Sequence, residues 1–179
     1  RLGGRDQGHT IATMLQDPDR IVRAKAAYAL GRMKYEQASG SLLGALRDTD
    51  EYVRGEVIHA LAQIDDKQAV PVLRDLYDND PGKNRYRLVR SLKALGDNQP
   101  FETEFARLSE IIENDASPEA RLEAVRALSW FARSEAKSLF QAALNDRNSR
   151  VRSEARKALY SYRRSGTQAR RTSASRRSG

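Results

Sequence analysis

Five arginines, each followed seven residues later by a leucine, recur along this chain at nearly constant spacing, and that periodicity constrains the fold more than any other feature. The arginines are Arg23, Arg54, Arg85, Arg121 and Arg152; the leucines are Leu30, Leu61, Leu92, Leu128 and Leu159. Successive arginines lie 31, 31, 36 and 31 residues apart. A fixed period of this length marks a stack of similar units, each burying its apolar face against its neighbours.

The letters around each arginine are those of a helix. In the unit from Asp48 to Ile64, apolar residues stand just before the arginine and three, four, six, seven and ten after it: Val53, Val57, Ile58, Ala60, Leu61 and Ile64. That is a helical period with one broad buried face. An aspartate ahead of the apolar run is placed to accept the free N–H groups of the first turn, and Pro18 and Pro118 fall where a missing N–H does no harm. Alanines on the buried face, Ala26, Ala60, Ala124 and Ala155 among them, leave room for a neighbouring helix.

The intervening segments carry a second apolar pattern, for example Leu42, Leu43 and Leu46, or Phe105, Leu108, Ile111 and Ile112. Each unit is therefore predicted to be a helical hairpin, with polar joints such as Ile64-Asp65-Asp66-Lys67 and Gly96-Asp97-Asn98. The longer fourth period is expected to extend the first helix of that hairpin between Pro100 and Asn114.

An acidic residue, then Val-Arg, then Ala-x-x-Ala-Leu-Gly, as in Asp19, Val22-Arg23 and Ala26 to Gly31, resembles the short HEAT-like repeats of the phycobilisome-lyase type. The pattern runs over residues 10–162, with Asn84 and Ala120 in the valine column of the third and fourth units. The resemblance implies an all-α solenoid of about five HEAT-like hairpins, with the second helices on its concave side. It also implies a polar ladder between repeats built on acidic residues and Arg23, Arg54, Arg85, Arg121 and Arg152. Such repeats are binding scaffolds in many settings, and a minority belong to enzymes that attach or isomerise phycobilin pigments.

Composition bounds the rest. A hydrophobic content of 39% in 179 residues supports one continuous core over residues 10–162. No apolar run reaches the roughly 18 residues of a membrane span. Without cysteine there is no disulfide or thiol chemistry, and a metal site would rest on His9 and His59 alone, so no metal or cofactor is expected. The net charge of +8 is concentrated in residues 163–179, which hold Arg163, Arg164, Arg170, Arg171, Arg176 and Arg177 and no acid. The other 26 basic residues nearly balance 24 acidic ones. That tail lacks any apolar period and reads as disordered, with three Arg-Arg pairs suited to a polyanion such as nucleic acid. At the other end, Leu2-Gly3 matches the Leu30-Gly31 that closes a second helix, so residues 1–9 are expected to be either the end of a preceding repeat or a plain lead.

Function has to be written on the outward columns of the second helices. Two residues after each arginine stand Lys25, Glu56, Arg87, Glu123 and Glu154; five after stand Tyr28, His59, Arg90, Arg126 and Lys157; nine after stand Arg32, Gln63, Ala94, Trp130 and Ser161. A partner-binding surface is expected from Tyr28, His59, Tyr86, Arg87, Arg90, Arg126, Trp130 and Lys157, with the cations steering an acidic or phosphate-bearing protein and the aromatics anchoring it. Paired carboxylates such as Asp65-Asp66 sit at joints, where capping explains them, and no nucleophile set or phosphate loop is present. The first reading is a non-enzymatic protein-binding scaffold. A nucleic-acid or polyanion binder acting through the tail is the alternative, and a phycobilin-lyase-like subunit a remote one. Oligomeric state stays open.

Overall fold

The computed structural model describes residues 3–79, 82–132 and 134–160, with side chains from residue 7 onward. Every regular element among them is helical: α1 (Gly3–Thr13), α2 (Arg20–Met33), α3 (Ser39–Ala45), α4 (Glu51–Gln63), α5 (Val70–Asn79), α6 (Arg85–Ala94), α7 (Gln99–Asn114), α8 (Pro118–Phe131), α9 (Lys137–Ala143) and α10 (149–160). The fold is all-α, of the helical-repeat solenoid class. The chain forms two compact units, Arg1–Glu102 and Thr103–Gly179. No helix among the described residues is long and apolar enough to cross a membrane.

In the first unit the odd and even helices pair as hairpins, α1 with α2, α3 with α4 and α5 with α6, and the second helices α2, α4 and α6 pack side by side. The apolar columns do what their spacing predicts: Val53, Val57, Ile58, Ala60, Leu61 and Ile64 are all buried, as are Leu30 and Leu92. Alanine alone does not set how closely these helices approach. A Cβ added at Gly31 would stand 2.9 Å from Cα of Ala60, and one added at Gly55 would stand 2.7 Å from Oδ1 of Asn84. Glycine on one helix faces a small or polar group on the next.

The second helices of this unit end alike. The N–H of Tyr35, Asp66 and Asp97 donates to the carbonyl of Leu30, Leu61 and Leu92, at 3.0, 3.1 and 2.9 Å. These are the six-to-one bonds of a Schellman ending, which needs a left-handed residue one position earlier. That residue is Lys34 (φ 51°), Asp65 (φ 57°) and Gly96 (φ 97°) in turn. Leu30, Leu61 and Leu92 thus each fill the core with the side chain and close the helix with the carbonyl.

In the second unit α7, at 16 residues, absorbs the longer period as expected. Leu108 and Ile112 of α7, Val125, Leu128 and Phe131 of α8, Leu139 and Phe140 of α9, and Val151, Ala155 and Ala158 of α10 are buried. Leu159, the fifth recurring leucine, is half-buried. Glu104 is fully buried, and Arg107 donates to its carboxylate at 2.9 Å.

Leu92→Ala should cost about 2 to 5 kcal/mol in urea unfolding. Lys34→Gly should gain roughly 0.5 to 1 kcal/mol, and Gly96→Ala should lose about as much, because only glycine enters the left-handed region without steric penalty.

Candidate functional site

Two features of the second helices are candidates for function: the arginine column at their N-termini and the outward stripe along their length.

The arginine column begins with the aspartate that opens each unit. Oδ1 of Asp17, Asp48, Asp115 and Asp146 accepts the backbone N–H two residues on, from Asp19, Asp50, Ser117 and Asn148, at 2.7 to 2.8 Å. The residue two positions after the opening aspartate then caps the helix. Asp19 accepts from Ile21 N–H, Asp50 from Tyr52 N–H, Ser117 from Ala120 N–H and Asn148 from Arg150 N–H. The opening aspartate therefore folds the turn and leaves capping to its successor, a division the letters Asp-x-Asp do not reveal.

Into this turn the arginine reaches back. Nη1 of Arg23, Arg54, Arg121 and Arg152 donates to the carbonyl of the opening aspartate, Asp17, Asp48, Asp115 and Asp146, at 2.7 to 2.9 Å. Arg23 also sends Nε and Nη2 to the carboxylate of Asp48 in the following unit, at 2.6 and 3.0 Å. Arg121 does the same to Asp146, at 2.7 and 2.9 Å, and is itself buried. Bidentate geometry of this kind is the strong form of an ion pair. Arg85 departs from the scheme: its guanidinium lies over the Tyr77 ring, 4.6 Å from the centroid. Beside it, Nδ2 of Asn84 donates to the Glu51 carbonyl at 3.0 Å, which ties α6 to the start of α4.

The outward stripe is read helix by helix. On α2, Ile21, Lys25, Tyr28 and Arg32 are exposed at i, i+4, i+7 and i+11. On α4, Tyr52 is exposed, while Glu56, His59 and Gln63 are half-buried. On α6, Arg90 is exposed and the half-buried Arg87 donates to Glu56 at 3.0 Å. Burial, with Arg87 and Arg90 close by, holds the His59 imidazole below its ordinary value despite the opposing Glu56. Oε1 of Gln63 is buried beside Gly31 and accepts no hydrogen bond. Tyr86 is half-buried on the flank of α6, one residue past the arginine, and does not join the stripe. Ile21 and Tyr52 were missed from the letters, although each stands seven residues before a residue of the Tyr28 and His59 column.

In the second unit Trp130 is exposed on α8. Arg126 lies 2.6 Å from Glu123 and 3.9 Å from Glu154, and Lys157 lies 3.2 Å from Glu154. A cleft of about 370 Å³ beside the end of α7 is lined by Glu113, Asp115, Arg121, Asp146 and Arg147. The arginines in it are bonded, Arg121 to Asp146 and Arg147 to the Ala116 carbonyl. No group of three or more histidine, aspartate or glutamate side chains among the described residues is placed to hold a metal ion. Ser161 and the tail arginines, Arg163, Arg164, Arg170, Arg171, Arg176 and Arg177, lie outside the described residues.

With the repeat geometry in view, the comparison with known families is decisive. Residues 9–93 and 105–172 match the HEAT repeats family. The chain belongs to the HEAT-repeat family. Among solved structures, the complex of CpcE and CpcF of phycocyanin lyase from Nostoc sp. PCC7120 is similar, with 24% identity and a TM-score of 0.51 over 86% of this chain and 64% of that one. Human deoxyhypusine hydroxylase in complex with glycerol aligns with 23% identity and a TM-score of 0.44, over 83% of this chain and 59% of that one. This HEAT-repeat chain thus spans less than two thirds of either. At 24% identity the likeness to the CpcE and CpcF complex is one of fold. No curated protein matches the sequence.

The ladder carries a pH dependence. The hydrogen bonds from Arg23 and Arg121 hold the carboxyls of Asp48 and Asp146 below their ordinary value of 3.8. The unfolded chain therefore takes up these protons first, so the stabilisation is complete well above pH 3.8 and is lost as pH falls through that value towards the lowered ones. Urea midpoints measured from pH 6 to pH 2.5 should fall over that lower range, and less steeply in Asp146→Asn. Arg121→Met, which leaves the half-buried Asp146 without its cation, should cost about 3 kcal/mol at neutral pH.

Proposed function

We propose that this chain is a non-catalytic interaction scaffold that holds another protein against the outward stripe of its second helices. The observation that carries this reading is the surface of α2 and α4. Ile21, Tyr28 and Tyr52 are large apolar or aromatic side chains exposed at 40%, 49% and 51%, on adjacent helices and among charged neighbours. Single exposed apolar residues are ordinary on any protein, whereas a cluster of them ringed by charge is the composition of a contact surface. Tyrosine supplies large contact area at little entropic cost, and tyrosine, tryptophan and arginine carry most of the energy in measured interfaces.

His59, Arg87 and Arg90 border this surface, and Trp130, exposed at 47% in the other unit, is a separate anchor. Arg126 and Lys157 stand in the other unit, paired with Glu123 and Glu154. Family membership supports the reading, as does the fact that a similar fold occurs in the Nostoc assembly of CpcE with CpcF.

The test is affinity capture from native extract, with the partner then identified and titrated. Tyr28→Ala combined with Tyr52→Ala should weaken that partner roughly thirtyfold, the loss of about one strong anchor. Val72→Asp, on the exposed side of α5, should leave binding unchanged. Loss with Val72→Asp and retention with the tyrosine pair would move the surface to the first helices and sink the proposal.

A further inference from the structure

We propose that the hairpin of α1 with α2 carries a second docking surface, separate from the outward stripe, which takes a helix of another HEAT-type protein and pairs that helix's arginine with Asp17.

The surface is centred on a carboxylate without a cation. Asp48 and Asp146 each fold their own turn with Oδ1 and also accept a bidentate arginine from the preceding repeat, Arg23 and Arg121. Asp17 is the matching residue of its own unit. Its Oδ1 accepts the N–H of Asp19 at 2.8 Å, and Arg23 reaches back to its carbonyl, as the arginines of the other ladder units do. Its side chain is half-buried and forms no ion pair with any described residue. The same turn that presents Asp48 and Asp146 to a guanidinium fork therefore presents Asp17 to solvent, and bidentate pairs of this kind are the strong ones.

The apolar columns around Asp17 are open on the same side. Gly31 of α2 meets Ala60 and Gln63 of α4, so those two columns mark the side of a second helix that faces its predecessor. On α2 the matching residues are Ala29 and Arg32, and Ala29 is half-buried where Ala60 and Ala158 are buried. Val22 is half-buried where Val53 and Val151 are fully buried, and Ile11 of α1 is half-buried where Leu42 and Phe140 are. Met33 is 42% exposed, while its counterparts Ile64, Leu95 and Phe131 are buried. A carboxylate with an apolar strip beside it is what α4 offers to α2, and here no described helix covers it.

The two junctions that carry the ladder define what fits. In each, the helix that supplies the arginine has an apolar residue four positions on, Ala27 or Val125, and a small one eight positions on, Gly31 or Ser129. The small residue is needed because a Cβ at Gly31 would stand 2.9 Å from Cα of Ala60. The occupant is thus an amphipathic helix parallel to α2, with an arginine near its start, an apolar residue at the fourth place after it and Gly, Ala or Ser at the eighth.

Other occupants fit less well. The chain's own tail, residues 163–179, supplies arginines but no large apolar side chain to cover Val22 and Met33. A second copy could offer α10, whose Arg152 bonds only to carbonyls of its own turn. Yet the exposed Arg156 stands there in the column of Ala27 and Val125, and the exposed Tyr160 in that of Gly31. A second copy offering this same face brings another vacant carboxylate, since Arg23 is committed to Asp48. A polyanion meets the wrong charge at Asp17.

The experiment titrates the full chain, by fluorescence anisotropy, with a labelled peptide copying residues 17–36. A lactam between positions 21 and 25, on the outward side, locks it as a helix, which circular dichroism verifies. Binding should saturate. Asp17→Asn keeps the turn, since Oδ1 of Asn148 accepts a backbone N–H two residues on in the same way, and it should weaken the peptide at least roughly fivefold. Met33→Glu should do the same, whereas Val72→Asp should change affinity less than about twofold. Arg23→Gln in the peptide should weaken binding to the intact chain and have no further effect on the Asp17→Asn chain, the coupling expected of a direct pair. A helical peptide that fails to saturate overturns the proposal, as do additive effects of the two substitutions. Loss of the peptide with Tyr28→Ala and Tyr52→Ala equal to that with Asp17→Asn places it on the outward stripe and overturns it too. Binding to this chain but not to the protein isolated from native extract means that the face is already covered there, which also overturns it.

Discussion

One guanidinium serves two repeats. Arg23 holds the carbonyls of Asp17 and Pro18 with Nη1, and with its other nitrogens holds Asp48, the residue on which the next unit's first turn is folded. Arg121 repeats the arrangement with Asp115, Ala116 and Asp146. Hydrophobic burial supplies most of the energy in such a stack, but burial is tolerant of sliding and rotation, whereas a bidentate ion pair is not. The arginine converts a generic apolar contact between helices into a contact with one register. Because Asp48 and Asp146 are also bonded to their own turns, disturbing one repeat is felt in the start of the next. This is the nearest-neighbour coupling that makes repeat arrays fold as cooperative units.

Much of this was legible in the letters. Periodicity named the buried columns, the hairpins and the helix that had to lengthen, because a helical period is a geometric property that survives changes of residue. What the letters hid were choices between equivalent groups. In Asp48-Thr49-Asp50 either aspartate is a chemically sound cap, and only the backbone angles decide that Asp50 caps while Asp48 folds the turn. The left-handed ending at Lys34 was also invisible, since lysine has no preference for that conformation and the surrounding bonds impose it, whereas Asp65 is of a type that enters it more readily. The stripe itself was only partly legible. Arg126 and Lys157 look like ordinary solvent-facing cations in sequence, and only the structure shows that Glu123 and Glu154, one turn away, pair with them.

The contrast between the two units shows how a repeat protein acquires a particular surface. The recurring leucines stand in all five repeats and the turn-building aspartates in four, whereas the outward positions differ from repeat to repeat. The column two residues after each arginine holds Lys25, Glu56 and Arg87 in one unit and Glu123 and Glu154 in the other, so the outward charge varies without touching a buried apolar column.

The helix endings have a consequence for where such a chain accepts extra length. From Asp17 to Lys34 and from Asp48 to Asp65 the count is the same, because the opening turn and the closing leucine carbonyl are both held by hydrogen bonds within the repeat. That span is a ruler. The joint and first helix that follow are slack, and the additional residues of the fourth period were taken up there, in α7. A peptide tag or a grafted recognition loop inserted at an exposed joint position such as Asn98 would leave every ruler intact, whereas a single residue added between Asp48 and Asp65 would rotate one third of a turn of side chains off the core.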